Sequence, residues 1–270
     1  MGIHMQIDEF KADNKERIAR QFSRAANTYD QAAEVQVDIA FDAMQLLQGP
    51  YENLLDIGCG TGRVSSQLAA KCDELLAMDL AEGMLSYAAQ KYSSGDSKAN
   101  ITWLLADAEY LPLRNNSSDA VFSTMALQWC QNIEQVCQEV YRVLRPKGKA
   151  VLAILCEGSL QELQQSWWNI DSQRHVNQFH SQQNWQSGAR QAGFAVTSHE
   201  QSYQSWHDNV RDLLGSIKAI GANVVTETGN HAPVSRQMLH NLQNSYVQKY
   251  ACHGRLPLTY QVCFLQLLKP

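Results

Sequence analysis

No apolar run in this 270-residue chain approaches the roughly 20 residues that span a bilayer, and no apolar signal segment opens it. A membrane-spanning or secreted protein is therefore disfavoured, and the cytoplasm is the expected compartment. A basic excess is missing too. Lys and Arg number 22 against 27 Asp and Glu, a formal net charge of −5. That balance lacks the overall charge expected of a nucleic-acid binder. The seven cysteines include no C-x-x-C pair, and their odd number and spacing fit neither a zinc site nor a disulfide framework. Free thiols in a reducing compartment are the plain reading. The eight histidines show no metal-ligand spacing and no H-E-x-x-H, so no metal site is expected. Residues 1–5 have the character of a cloning remnant and are left out of the fold argument.

What is present divides the chain. A hydrophobic fraction of 44% is enough for a buried core. Residues 53–57, 74–78, 101–106, 120–124 and 149–155 are nearly continuous in apolar residues, as strands buried on both faces of a parallel sheet are. Stretches 63–71, 83–92 and 133–144 between them are long enough for crossover helices. This alternation predicts an α/β fold, a doubly wound sheet, over residues 53–158. Residues 8–52 read as a helical arm, with apolar Phe10, Ile18 and Phe22 and a basic stripe at Arg17, Arg20 and Arg24. Gly49-Pro50 breaks the chain before the first strand. Beyond residue 158 the composition turns to Gln and Trp. Helices over 161–170, 182–191, 210–220 and 235–250 predict an inserted helical cap at 159–250, with a strand near 194–203. Residues 251–270 supply a last strand, over 259–268, that completes the core sheet.

The most informative stretch is Leu54-Leu55-Asp56-Ile57-Gly58-Cys59-Gly60-Thr61-Gly62. A buried strand ends there in a glycine turn that lets a ligand approach backbone N–H groups at a helix start. The dinucleotide fingerprint puts its third glycine five positions after the first. Here it comes four positions after, at Gly62, and no Gly-Lys-Ser/Thr follows, so NAD and ATP are both disfavoured. The second strand ends at Asp79, 17 residues beyond Gly62, where an acidic side chain can bond ribose hydroxyls. The third runs into Asp107, followed by Ala108 and Glu109, where a carboxylate can accept from an adenine amino group. Cys59 reads as a small turn residue rather than a nucleophile.

Segments 54–62, 76–80, 106–109, 119–125 and 144–148 together resemble the class I S-adenosylmethionine-dependent methyltransferases, in family order over roughly half the chain. The resemblance implies a Rossmann-like, seven-stranded, mostly parallel sheet with S-adenosylmethionine across its strand ends and S-adenosylhomocysteine as product. It places Asp56, Gly58 and Gly60 by the methionine portion, Asp79 at the ribose, and Asp107 with Ala108 at the adenine. It has Leu80 and Met84 packing the adenosine, and adds Arg24 and Met125 to the cofactor-binding set.

The fourth strand leads into Ala126-Leu127-Gln128-Trp129-Cys130 and lacks the Asn/Asp-Pro-Pro-Tyr/Phe pattern often carried by N-methyltransferases of nucleobases and amides. Segments 22–30, 126–130, 158–163, 217–222 and 258–260 are similar to the malonyl-carrier-protein O-methyltransferases of biotin synthesis. That likeness implies methyl esterification of the free carboxylate of malonyl-acyl carrier protein, or malonyl-coenzyme A, with Tyr29, Trp129, Phe179 and Lys218 around the acceptor. A carboxylate is ionised near pH 7 and needs a hydroxyl or cationic clamp rather than a base. Tyr29 can donate to it, although a Tyr on an amphipathic arm serves packing as readily. Lys218, among Ile217, Ala219 and Ile220, reads either as a partly buried ammonium seeking an anion or as a snorkelling surface lysine. Trp129 and Phe179 suit a core as well as a pocket wall. Arg142 and Arg145 fit helix-end electrostatics better than substrate binding. An acidic carrier protein would dock on basic residues, with Arg17, Arg20, Arg24, Arg174, Arg211, Lys218 and Arg236 the candidates, unless these form a solvated face. Two alternatives stand beside this reading. One is a methyltransferase of a small metabolite such as a quinone precursor; the other is a non-catalytic S-adenosylmethionine-binding module.

Overall fold

Successive residues of a strand face opposite sides of its sheet, and this chain buries both. Leu54, Phe122, Val151 and Phe264 enter one apolar cluster, while their neighbours Leu55, Val121, Leu152 and Leu265 enter another. Burial on both faces is why these strands carry continuous apolar runs. The computed structural model describes residues 2–92, 100–171, 173–223 and 234–270, with side chains from Asn14 onward. The side chain of Phe10, and residues 172 and 224–233 of the expected cap, lie outside the described residues.

The sheet is made of β1 (Tyr51–Ile57), β2 (Cys72–Asp79), β3 (Ile101–Leu105), β4 (Ser118–Thr124), β5 (Leu144–Leu155), β6 (Ala195–His207) and β7 (Leu256–Leu268). Its spatial order is β3-β2-β1-β4-β5-β7-β6. β1 to β5 run parallel, and β7 lies antiparallel between β5 and β6. This is the doubly wound, mostly parallel, seven-stranded α/β sheet expected. The chain reverses its winding between β1 and β4, the switch point where such sheets open a ligand crevice at their carboxyl ends.

The helices are α1 (Gly2–Ala32), α2 (Glu34–Leu46), α3 (Ser65–Leu68), α4 (Glu82–Tyr92), α5 (Ile133–Val143), α6 (Gln161–Asp171), α7 (Gln182–Gln191), α8 (Val210–Ala219) and α9 (Arg236–Tyr250). α5 shows why such segments are helical. Ile133, Val136, Cys137, Val140 and Val143 form one buried stripe, and the Asn132 side chain caps its start by accepting from Gln135 N at 3.0 Å. Arg142 at its other end donates to the carbonyls of Leu111 and Leu113 and to Glu139, so it braces a loop. Arg145 pairs with Glu52 and Asp119.

One expectation is refined and two change. The arm is two helices, broken at Ala33, whose backbone leaves helical geometry at ψ 42°. Only Ser65–Leu68 is α-helical in the first crossover, and a 3-10 turn, Ala69–Lys71, completes it. The expected 159–250 cap is also not one piece. α7 packs on α5, and β6 pairs with β7 along thirteen positions, so 182–207 belongs to the sheet layer. The reason is burial: Trp185 and Ala189 face the same cluster as Val140. α6, α8 and α9 pack together on the opposite face and meet α1 through α8.

Candidate active site

β1 delivers the glycine turn to the carboxyl edge of the sheet. Gly58 N and Cys59 N both donate to Met78 O, at 2.8 and 2.9 Å, which folds the turn over the end of β2. Gly58 has φ +76°, and a Cβ there would lie 2.1 Å from the Ala126 Cβ. Gly62 has φ +75°, and a Cβ would meet the Trp103 ring at 2.6 Å. Gly60, at φ +53°, would meet nothing within 4 Å: its Cα faces open space. Asp79 then ties the turn. Its Oδ2 accepts from Gly60 N and its Oδ1 from Ala81 N, both at 2.8 Å. Burial raises the Asp79 carboxyl above its ordinary pKa, opposed by the backbone N–H groups of Ala81, Gly60 and Leu80.

Above this edge lies a cavity that Gly58, Gly60, Asp79, Leu80, Met84, Asp107, Ala108 and Met125 all line. Eight of the ten residues expected at the cofactor are thus together. Asp56 instead lines a smaller recess behind the glycine turn, shared with Gly58, Gly60 and Met125. It is 1% exposed, accepts from Ser65 Oγ at 2.6 Å, and has its pKa pushed up to about 7 by burial, with the nearby Asp79 charge adding to the effect. Arg24 is exposed and lines neither of these cavities. On α1 it lies away from the side that carries Ile18, Ala19 and Phe22 to the first cavity.

A second, larger cavity lies between the sheet edge and α6 and α8. Apolar Leu160, Leu163, Trp167, Val176, Ile217 and Ile220 make much of its wall, together with Phe179. Phe22, Tyr29, Met125 and Trp129 line both cavities, so the two meet at these four side chains. Phe22 and Trp129 hold each other edge to face, with ring centroids 5.4 Å apart. Met125 sits at φ +56°, with its N–H on Ala153 O and its carbonyl accepting from Gln128 Nε2. The Tyr29 phenol is raised well above its ordinary pKa by burial and by the carboxylates of Asp79 and Asp30, so it remains a neutral donor. Lys218 is exposed at the rim of this cavity rather than partly buried. The buried stripe of α8 is Val210, Leu213 and Ile217, and adjacent helical residues do not share a face.

Several site residues escaped sequence reasoning. Lys15 reaches from α1 to Asp107 at 2.5 Å and also pairs with Glu109, an ion pair across 92 positions with no local signature. His175 lines the second cavity, stacked on Trp167 and 2.8 Å from Asp171, an i, i+4 pairing that the sequence does display. Thr124 Oγ1 and Gln128 Oε1 are buried polar atoms without a hydrogen-bond partner among the described residues. Burial pushes the thiols of Cys59 and Cys130 up, which leaves both protonated and poor nucleophiles.

Comparison with known proteins places this geometry. A family model described as a methyltransferase domain matches residues 55–152. The malonyl-[acyl-carrier protein] O-methyltransferase of Yersinia pestis is 38% identical over 252 residues, covering 93% of this chain and 90% of that protein. The chain belongs to the malonyl-[acyl-carrier protein] O-methyltransferase family. The biotin biosynthesis bifunctional protein BioHC of Cellvibrio japonicus, 34% identical, is matched over 96% of this chain, which spans about half (51%) of its length. A Haemonchus contortus phosphoethanolamine N-methyltransferase, solved in complex with S-adenosyl-L-methionine, shares the fold with a TM-score of 0.60. It is 18% identical, with 92% of this chain and 57% of that one covered. In this member of the O-methyltransferase family the edge of the sheet suits such a cofactor. The bare Gly60 backbone faces open space, the unpartnered Thr124 Oγ1 borders it, and carboxylates stand at the ends of β2 and β3.

Proposed function

We propose that this chain is an S-adenosylmethionine-dependent O-methyltransferase that esterifies the free carboxylate of a malonyl thioester on acyl carrier protein, an early step of biotin synthesis. The observation that carries the reading is the junction of the two cavities at Phe22, Tyr29, Met125 and Trp129. S-adenosylmethionine, when bound, would supply a methyl on a sulfonium, taken by a carboxylate oxygen in a direct displacement while the electron pair of the broken C–S bond stays on the sulfur of S-adenosylhomocysteine. The chain's own residues supply alignment and a dry path. Asp79 and Asp107 would hold the adenosine side, and Gly58 and Gly60 would bring backbone close to the methionine side. Tyr29, kept protonated by its surroundings, would donate to one carboxylate oxygen and leave the other to attack. The Leu160, Leu163, Trp167 and Phe179 wall excludes water, so the acceptor meets the methyl poorly solvated. Trp129 and Phe22 fix the angle of approach. No base is required, which agrees with a junction whose four side chains include a neutral phenol and no imidazole.

An apolar acceptor cavity with Lys218 at its rim supports a short acid on a long arm, with the charge of the arm's bearer outside. The seven free cysteines support a cytoplasmic setting. Among the described residues, no helix is long and apolar enough to cross a membrane. The test is incubation with methyl-labelled cofactor and malonyl-acyl carrier protein. A base-labile methyl ester is expected. Label on a quinone precursor instead would favour the small-metabolite reading, and cofactor binding with no label on either would favour a binding module.

A further inference from the structure

α8 carries Arg211 and Lys218 seven residues apart, two turns of one helix, so both leave the same face roughly 10 Å from each other. Both are exposed. Gly215 between them keeps that face bare, since a Cβ there would meet nothing within 4 Å. Lys218 stands on the rim of the acceptor cavity. Arg211 lines a separate surface depression with Asn209, His240, Gln243 and Arg236, the first residue of α9. At its other end α8 meets α1, where Thr28 Oγ1 donates to Ala219 O at 2.9 Å, and the exposed Arg24 lies one turn before that contact.

These four cations form no ion pair among the described residues, whereas Arg20, Lys91, Arg142 and Arg145 each pair with a carboxylate. Arg17 donates to Asn14, and Arg174 is also engaged within the chain. Asp212, which borders the same depression, accepts from Asn209 Nδ2 at 2.6 Å. The seven docking candidates of the sequence thus separate into three that are engaged and four that pair with no carboxylate among the described residues. In a chain of net charge −5, Lys218 at the rim of the acceptor cavity and Arg211 and Arg236 at the neighbouring depression are cations with no ion pair among the described residues.

We propose that Arg211, Arg236 and Lys218, with Arg24 at the far end, form the docking surface for an acidic carrier-protein domain, seating it so that its thioester arm enters beside Lys218. The inference rests on the malonyl-thioester reading above. Charge complementarity names the occupant. Exposed pairs each contribute little to stability, but several of one sign raise the rate of encounter with an oppositely charged partner and fade as salt rises.

The test uses Arg211→Glu with Arg236→Glu, both remote from the junction, and two substrates: malonyl-carrier protein and the uncharged-arm thioester malonyl-pantetheine. At low salt the double variant should lose about tenfold or more in kcat/KM on the carrier-borne substrate, mostly through KM. Its turnover of malonyl-pantetheine should match wild type, and rising salt should bring wild type down towards the variant. The Arg211→Lys, Arg236→Lys pair should keep most of the wild-type rate. Equal losses on both substrates, or none on the carrier, would overturn the surface. Binding of unacylated carrier protein, followed by fluorescence anisotropy, separates this idea from the reaction itself. Should wild type make no malonyl ester yet bind the carrier in a salt-sensitive way that the Glu pair abolishes, the reaction assignment fails and the surface stands.

Discussion

Two glycines of one turn can be told apart by what an added methyl would meet. At Gly58 an alanine suffers twice. Its φ of +76° is a left-handed conformation that costs a residue with a Cβ about 1–2 kcal/mol. Its Cβ would also lie 2.1 Å from that of Ala126, so the Met125–Ala126 backbone must shift, an overpacking that costs about 1–3 kcal/mol. Together Gly58→Ala should destabilise the fold by about 2–5 kcal/mol. The displaced segment is the one that carries Met125 and Trp129 to the junction of the cavities. A misplacement on the order of 1 Å there should lower turnover by about 100-fold. Gly60→Ala meets only the backbone term, because its surroundings are empty within 4 Å. It should cost the fold about 1–2 kcal/mol, and its larger effect should be on cofactor affinity, since the proposed cofactor site lies on that empty side. Urea denaturation of both variants, with calorimetric titration of S-adenosylhomocysteine, reads the two quantities separately. Equal stability losses, or a Gly58→Ala enzyme of normal stability and turnover, would refute the reasoning.

The remaining predictions concern charge and hydrogen bonding. Asp56 titrates near 7 in the folded chain against an ordinary value of 3.8, raised first by burial. Between about pH 4 and 7 the unfolded chain gives up this proton while the folded one keeps it, so stability should fall as pH rises through that window and level off above it. Asp56→Asn should flatten this slope in denaturation curves taken from pH 4 to 8, and an identical slope in both proteins would place the titration elsewhere. Asp79→Ala removes the acceptor for Gly60 N and Ala81 N and should weaken S-adenosylhomocysteine binding by about 1.5–3 kcal/mol; unchanged affinity would mean that the cofactor lies elsewhere. Tyr29→Phe should lower turnover about 10- to 100-fold while leaving the shape of the pH–rate profile intact. Loss of an alkaline limb in that variant would instead mark the phenol as a base.

The sheet could be read from the sequence because its strands are short, apolar on both faces and separated by helical stretches; runs such as Ala120–Val121–Phe122 carry no competing pattern. β6 was harder. It is an edge strand with most of its residues outside the core, so its real extent, through His207, follows from pairing with β7 rather than from its own composition. The same holds for α7, whose Gln-rich sequence hides a stripe made only by Trp185, Gly188 and Ala189. Gly188 lies so close to Ile133 that a Cβ would stand 2.7 Å from its side chain, a contact that no local pattern announces. At the site, glycines and strand-end carboxylates were legible because backbone geometry demands them at fixed spacing. Lys15 on Asp107 was not, because nothing in either neighbourhood specifies a partner 92 residues away.

The arm shows why position matters more than residue type here. Asp30, near the end of α1, accepts from Thr61 Oγ1 at 2.6 Å and from Lys91 Nζ at 2.7 Å, which binds the helix to the glycine turn and to α4. About two turns earlier, Gly83 N donates to Ser23 Oγ, and a Cβ on Gly83 would stand 2.7 Å from the Ser23 Cβ, so the two helices touch with no side chain between them. Lys15 fastens the start of the described stretch to the end of β3. Ties at residues 15, 23 and 30 leave the helix little freedom to roll, and its inner side is therefore fixed: Ile18, Ala19, Phe22 and Tyr29 face the cavity proposed for the cofactor, and Phe22 and Tyr29 continue into the one proposed for the acceptor. A tyrosine on an amphipathic helix is ordinary. Held between two cavities by three independent ties, it becomes a hydroxyl at their junction, where in the proposed reaction donor and acceptor would meet, so that arm and core sheet would build one site together.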